Sequence, residues 1–433
     1  MTSIDSRMGP RGVNLAEQPL TVSEAEERIQ QSCFTTGPAG RIGLELELLV
    51  GRTGDPSLKG SLSDGDYREF FEGLKSARVD GNLTLEPGGQ FEFSSLPKDS
   101  LPEAIQSVHQ SMALLRGRAA ELGFALTGAG VDPFREPRRI TQAPRYSAME
   151  EYFRPWGQAG SIMMCSTASL QINIEAGTSD AEMRDRWDLL YALGPTLAAT
   201  FANSSWFRGR RTGWKSKRLA AWLALDRSRT GVPYAEGQSD PAAAYTQWAL
   251  DAPLMMLRRP HGSWKAPLGL TFRDWLLEGR TAVADLPPAS LEDLQHHLST
   301  LFPHVRPRGY FEVRYIDAQP GCWWAVPAAV IAALVSDRRI AEHARDICAD
   351  SPTWEEAACF GLENPITAVA AVKLLTLAAL QLQCNSATAV LAKQVEEYLE
   401  RWTIQGRSPG DDHPSEWGKH IHGCAQESCV VGA

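Results

Sequence analysis

Four stretches of this chain alternate apolar and polar residues with a period of two: 44–48, 90–94, 170–175 and 311–316. Such alternation marks β-strands, whose successive side chains point to opposite faces. In the first, Glu45 and Glu47 share a face against Leu44, Leu46 and Leu48. In the second, Gln90, Glu92 and Ser94 oppose Phe91 and Phe93. In the third, Gln171, Asn173 and Glu175 oppose Leu170, Ile172 and Ile174. In the fourth, strict alternation sets Glu312, Arg314 and Ile316 against Phe311, Val313 and Tyr315. An antiparallel sheet with one face in water shows the same alternation. Solvated faces usually favour Lys and Thr, however, whereas these carry Glu, Gln and Asn with a single Arg. Acids gathered on neighbouring strands repel unless something positive lies between them. Hard divalent cations take oxygen ligands, and Mg²⁺ commonly bridges carboxylates and substrate phosphates. Two readings therefore stand: a one-sided sheet in water, or a sheet whose acidic face binds Mg²⁺ and a nucleotide.

The stretch "LTLEPGGQFEFS" (83–94) sharpens the choice. Glu86 and Glu92 flank a Pro-Gly-Gly turn among Leu83, Leu85, Phe91 and Phe93, although carboxylates are almost never fully buried unless paired. Glycines in the turn let backbone approach a ligand closely. Basic residues concentrate elsewhere, in 208–229, which includes Arg218 and Arg229 with Trp214 and Trp222 interleaved. That run reads either as a solvated face with snorkelling stems or as bidentate contacts for carboxylates or phosphates. Tryptophans among cations also suit nucleic-acid stacking, but a net charge of −9 and a pI near 5.6 oppose the basic face of such a binder.

Familiar catalytic and nucleotide motifs are missing. There is no G-x-x-x-x-G-K-[ST], no G-x-G-x-x-G after a strand, no H-E-x-x-H and no G-x-S-x-G. The 8 cysteines include no C-x-x-C pair, so neither a structural zinc site nor a disulfide scaffold is expected, and most read as small buried apolar residues. The first twenty residues lack the apolar run of a signal peptide. "ITAVAAVKLLTLAALQL" is interrupted by Lys373 and is short for a membrane span. A cytoplasmic chain with no membrane partner is expected. The organisation read from composition is a disordered leader (1–20), a single catalytic unit (21–404) and an irregular tail (405–433). Helices are expected at 325–346, 365–383 and 386–402, and in a first segment capped by Ser23 with Glu26 three residues on. A helix after Ser179 should bend or break near Gly194-Pro195, and "FALTGAGVDPF" should form a strand. The fold class is α+β.

"GLELELLV", "LTLEPGGQFEFS", "RYSAMEEYF", "MMCSTASLQINIE", "TGWKSKRLAAWLALDRSRTG" and "RGYFEVRYIDAQP", in that order over roughly residues 40–320, resemble the glutamate–cysteine ligase family. The likeness is to its plant-like and actinobacterial branch, which includes the ligase that opens ergothioneine biosynthesis. The resemblance implies a glutamine synthetase-like fold, with an antiparallel sheet curved into a funnel and backed by helices. It implies that ATP phosphorylates the γ-carboxylate of L-glutamate. The amine of L-cysteine then attacks the γ-glutamyl phosphate, giving γ-glutamylcysteine, ADP and phosphate. Carried over motif by motif, it makes Glu45, Glu47, Glu86, Glu92 and Glu312 metal ligands. Asn173 offers an oxygen where some relatives carry His. Arg314 stabilises the phosphoryl group in flight, beside Glu312. Met164, Thr167 and Gln171 belong to the glutamate pocket, and Arg218 and Arg229 contact carboxylate or phosphate. A ligase with another amine acceptor, or a metal-dependent hydrolase on the same acidic sheet, stays open.

Overall fold

The four alternating segments lie together in one antiparallel sheet. The structure, a computed structural model, describes residues 19–55, 58–233, 240–258, 262–278 and 286–416. Most of the expected leader, and the tail beyond Glu416, lie outside the described residues. The strands are β1 (Ile42–Arg52), β2 (Gly81–Leu85), β3 (Phe91–Ser95), β4 (Phe124–Thr127), β5 (Ser169–Glu175), β6 (Trp206–Phe207), β7 (Arg210–Arg211), β8 (Val305–Pro307) and β9 (Tyr310–Asp317). The main sheet runs β2-β3-β1-β5-β9-β8, with β4 paired to the second half of β1, and β6–β7 form a separate hairpin. The order does not close on itself, and with helices packed against it the class is α+β.

Register turns single-strand parity into a common face. Cross-strand partners point to the same side. Glu47 pairs with Glu92, Glu45 with Gln171, and Asn173 with Glu312. On the reverse side, Leu44, Leu46, Phe91, Phe93, Ile172 and Val313 are all buried. The helices Asp64–Leu74 and Leu101–Glu121 cover one part of that face, where Phe70 packs edge-on against Phe91 and Phe124 at 5.7 and 5.4 Å. The helix Asp180–Thr200 covers another, with Trp187 5.3 Å from Phe311.

Strict alternation fails at one point. Ile172 pairs with Val313 but Leu170 pairs with Ile316, so β9 holds one residue more than β5 across this step. This β-bulge corrects the expected face of Ile316, which is fully buried on the apolar side. Asp317 takes the polar side instead, opposite Ser169.

Several helix boundaries differ from expectation. The first helix, Val22–Cys33, is capped by Thr21 with Glu24 closing the capping box; the sequence offers two overlapping frames of the motif and the backbone takes the earlier. The segment 325–346 divides into Ala325–Leu334 and Arg338–Ile347, because the Asp337 side chain caps the second helix. Asp180–Thr200 runs unbroken through Pro195, with every residue from Leu193 to Thr200 buried, so packing outweighs the lost backbone bond. β4 stops at Thr127 rather than continuing through "GAGVDPF". Pro365–Gln383 is long and apolar enough to cross a membrane, yet it packs against Ala325–Leu334 and Ala389–Arg401 through residues such as Leu374, Leu375 and Ala378.

Beyond Arg401 the described residues form only short 3-10 turns, but they are tied down. Ser408, Pro409, Gly410 and Asp412 are buried. Gly410 N–H donates to Ala202 O at 3.0 Å, Lys215 Nζ reaches Asp411 Oδ1 at 2.6 Å, and Trp402 Nε1 donates to Asp412 Oδ2 at 3.1 Å. Cys33 and Cys348 are free and buried as expected. Cys322 is disulfide-bonded, against the reading of these cysteines as unpaired; no local spacing motif announces it.

Candidate active site

The polar face of the sheet floors a cavity of about 290 Å³. Of the residues named from sequence, Glu45, Glu47, Glu86, Glu92, Met164, Thr167, Gln171, Arg218 and Arg314 line it. Asn173 and Glu312 sit beside it on the same strands. Asn173 Nδ2 donates to Glu45 Oε1 at 3.0 Å, and Arg314 Nη1 donates to Glu312 Oε2 at 2.8 Å. Arg229 is not brought to the cavity. It is wholly buried, donates to Thr300 Oγ1 at 2.9 Å and to the carbonyl of Pro253, and lies 4.7 Å from the Tyr152 ring. Its two Nη groups are taken up by Thr300 and the Pro253 carbonyl, away from the cavity, which corrects its expected contact with a ligand.

The turn between β2 and β3 delivers Glu86. Glu86 N–H donates to Gln90 O at 2.8 Å and Gly89 N–H to Glu86 O at 2.9 Å. Gly89 has φ +87°, in the left-handed region that favours glycine. A Cβ on Gly88 would stand 2.1 Å from Cys165 O, so the turn is pressed against the end of the helix Gln158–Cys165. Buried Gln90 locks the contact: its Nε2 donates to Thr167 O at 2.8 Å and its Oε1 accepts from Gly88 N–H at 3.0 Å. Met164 and Thr167 are thereby fixed relative to Glu86. The Thr167 hydroxyl is turned away, donating to Met163 O at 2.6 Å.

The acids divide into two groups. Glu45, Glu47, Glu86 and Glu92 accept hydrogen bonds, where they make them, from neutral donors. Ser169 N–H and Gln171 Nε2 reach Glu47 at 2.7 and 3.0 Å, and the Thr84 and Ser94 hydroxyls reach Glu92 Oε1 at 2.8 and 3.1 Å. Burial, then the charges of Glu312 and Glu92, pushes Glu45 up to about 7. Burial also raises Glu47. Glu86 is raised well above the ordinary carboxylate range and Glu92 is raised too, in both cases by burial first and by neighbouring acids next. Glu312 behaves oppositely. Burial alone would raise it, but Arg306 and Arg314 outweigh that and hold it at about 2. Arg306 grips it with Nε–Oε2 at 2.5 Å and Nη2–Oε1 at 3.0 Å, and Arg308 Nη1 lies 3.5 Å from Oε1.

The arginines are interlinked. Arg314 Nη1 also donates to Gln171 Oε1 at 2.7 Å, which connects the Glu312 cluster to Glu47. Arg218, in the first turn of the helix Lys217–Leu223, donates to Arg314 O at 2.5 Å and lies 3.5 Å from Asp317 Oδ1. Buried Asp317 in turn accepts from Ser204 Oγ at 2.6 Å, Asn203 N–H at 2.8 Å and Ser216 Oγ at 3.0 Å. The bulge in β9 is what turns Asp317 toward this group. Sequence reasoning missed Asp317, and also Arg306 and Arg145, both of which line the cavity. Arg306 lies directly opposite Glu312 across the β8–β9 turn. Three residues of β8 are too few to show a period, but pairing back across Gly309 would have found it.

A divalent cation fits the acidic group. The Oδ1 of Asn173 is buried without a hydrogen-bond partner, while its amide nitrogen is engaged with Glu45. Four carboxylates held above their ordinary range and one spare amide oxygen are the donor types that suit a hard cation. Among the described residues, no three His, Cys, Asp or Glu side chains converge closely enough to hold an ion alone. An ion here would need ligands beyond those side chains, such as substrate oxygens or water.

Residues 41–410 match the model of the family described as Glutamate-cysteine ligase family 2. The chain is 34% identical to "Glutamate--cysteine ligase EgtA" of Mycobacterium tuberculosis, over 90% of this chain and 89% of that protein. It is equally similar to the protein of that name from Mycolicibacterium smegmatis, at 34% over 91% and 92%. The chloroplastic glutamate–cysteine ligase of Arabidopsis thaliana is 32% identical over 68% of this chain and 55% of that one. In fold, the chain is similar to the crystal structure of glutamate–cysteine ligase from Francisella tularensis in complex with AMP. The TM-score is 0.53 and the identity 12%, over 91% of this chain and 90% of the other.

Proposed function

Because the chain belongs to glutamate–cysteine ligase family 2, and so is a ligase, we propose that it uses ATP to join the γ-carboxylate of L-glutamate to the amine of L-cysteine. The observation that carries this reading is the division of one cavity into an acidic wall hydrogen-bonded by neutral donors and a wall of linked guanidinium groups. A carboxylate–amine ligase must bind a polyanionic nucleotide beside an anionic amino acid, and the two walls suit those tasks.

The γ-carboxylate oxygen attacks the terminal phosphorus of ATP, ADP leaves, and γ-glutamyl phosphate remains. The cysteine amine then attacks the γ-carbon. Phosphate departs with the bonding electrons, and the amine loses a proton to give the amide of γ-glutamylcysteine. Arg314 offsets the charge on the phosphoryl oxygens in flight, and Arg306 is placed to add to it. Glu312 sets both guanidinium groups, so its role is to position them. Gln171, held between Glu47 and Arg314, contacts glutamate together with the wall at Met164 and Thr167, and Arg218 takes a carboxylate. Glu45, Glu47, Glu86, Glu92 and Asn173 would hold Mg²⁺, which when bound supplies charge neutralisation for the phosphates. Arg229 has no part in this scheme. The proposed setting is the cytoplasm, and the proposed use of the product is ergothioneine biosynthesis, following the likeness to the actinobacterial branch.

The test is a panel of amino acids assayed for ADP formation and product mass. ADP should form at full rate only when glutamate and cysteine are both present. If alanine or glycine served as well as cysteine, the named acceptor would be wrong. Product release without ATP would point to a hydrolase instead.

A further inference from the structure

The turn that carries Glu86 is held from two sides. On one, Gly88 meets the Cys165 backbone. On the other, a Cβ on Gly89 would collide with the Tyr67 ring. Tyr67 belongs to the helix Asp64–Leu74, whose buried face it shares with Phe70 and Leu74. Phe70 packs on Phe91, in the strand that leaves the turn. The Tyr67 ring is therefore set by a helix that is itself packed on β3.

The two sides are joined to each other. Arg135 Nη1 donates to the Tyr67 hydroxyl at 3.4 Å and to Val50 O at 2.8 Å, and its Nε reaches Asp132 Oδ2 at 2.5 Å. Asp132 is buried, and its own N–H donates to Ser166 O at 2.8 Å. Ser166 follows Cys165. The contacts thus close a ring from Gly89 through Tyr67, Arg135, Asp132 and Ser166 back to Gly88. A buried ion pair is weak support for stability; what Asp132 supplies here is a fixed direction for the Arg135 guanidinium. A cavity of about 350 Å³, which Glu86 does not line, adjoins the turn and is bounded by Tyr67, Gly88, Gly89, Arg135 and Cys165. With open space behind the turn, the Tyr67 ring is its stop on that face.

Building on the reading of Glu86 as a cation ligand, we propose that Tyr67 is a positioning residue for it, fixing the turn so that the carboxylate stays within reach of a divalent cation. Tyr67 does not line the acidic cavity. Its effect passes through Gly89, whose N–H donates to Glu86 O at 2.9 Å. The ring does this work rather than the hydroxyl, because the ring is what meets Gly89.

The test compares Tyr67→Phe, which keeps the ring, with Tyr67→Leu, which keeps apolar bulk but no flat face; Tyr67→Met takes the place of Tyr67→Leu if melting curves show that the latter does not fold. Mn²⁺ is titrated into each full chain with saturating ADP, and the free ion is read by electron paramagnetic resonance, so no turnover is needed. Tyr67→Leu should weaken Mn²⁺ binding about tenfold, while Tyr67→Phe stays within about twofold of the unaltered chain. Hydrogen exchange at Glu86 and Gly89 should be severalfold faster in Tyr67→Leu alone. In turnover, the KM for Mg²⁺-ATP should rise in Tyr67→Leu with kcat at saturation unchanged, as when binding common to ground and transition states is lost. Unchanged Mn²⁺ binding in Tyr67→Leu, or a loss that Tyr67→Phe shares equally, would overturn the positioning role. Absence of Mn²⁺ binding by the unaltered chain would overturn the cation reading of Glu86 and the positioning role with it, whereas ADP formation from glutamate and cysteine reports on the ligase reading separately.

Discussion

Glu45 and Glu312 lie on adjoining parts of the same sheet yet are driven in opposite directions. Glu312 has three guanidinium neighbours; Glu45 has an amide and other acids. Replacing a raised carboxylate by its neutral amide removes a penalty of burial, whereas replacing Glu312 leaves Arg306 and Arg314 without their counter-charge. Glu86→Gln and Glu92→Gln should therefore leave the melting temperature of the ligand-free protein unchanged or higher, while raising the KM for Mg²⁺-ATP by more than about tenfold; thermal denaturation and initial rates measured side by side check this. Glu312→Gln should lower both melting temperature and kcat, the latter by on the order of a hundredfold or more. The same contrast fixes a pH dependence. Glu45, raised to about 7 by burial and neighbouring acids, binds its proton more tightly folded than unfolded. Its contribution to stability is complete below the ordinary carboxylate value and is lost as pH rises through about 7. Ligand-free protein should lose melting temperature between pH 5.5 and 8, and Mg²⁺-ATP should cancel the loss; a flat profile without ligand would contradict it. These acids were legible in the sequence because parity placed them together. The arginine that holds Glu312 was not, because its strand is three residues long.

Among the elements, the turn between β2 and β3 and the bulge in β9 do the positioning. The turn could be read as a ligand approach from its glycines, but the structure shows that Gly88 meets protein instead, the backbone of Cys165. Gly88→Ala must shift the turn or the helix end, and with it Glu86, Gln90 and Thr167. The expected result is a loss of activity greater than the loss of stability, checked by kcat/KM against melting temperature. The bulge left a trace that strict alternation overrode: Tyr315 and Ile316 are consecutive apolar residues between Arg314 and Asp317, and a regular half-buried strand does not place two together. Helix ends were less legible, since Thr21…Glu24 and Ser23…Glu26 both satisfy one capping pattern, and the choice between them is made by backbone conformation.

At the scale of the whole molecule, the irregular stretch after Arg401 reaches back to the site. Gly410 receives the Ser205 hydroxyl, and Asp411 receives Lys215. Those two anchors are the chain neighbours of Ser204 and Ser216, which hold Asp317 and, through it, Arg218. Asp411→Ala should lower the melting temperature by about 2 °C and raise the KM for glutamate, while Mg²⁺-ATP affinity changes little; calorimetry and substrate titrations separate the two effects. None of this was legible, because turn-rich composition reports local conformation and these contacts join residues about 200 positions apart. The strand order carries a further consequence, in time rather than in space. Glu45, Glu47, Glu86 and Glu92 are made first, and Arg306 and Arg314 follow more than 200 residues later. At ~5–20 residues per second, a growing chain displays its acidic strands for ~10–40 s before the arginines emerge. The central sheet therefore cannot be completed until Asp317 has been made, and the segment that completes it brings the positive charge as well.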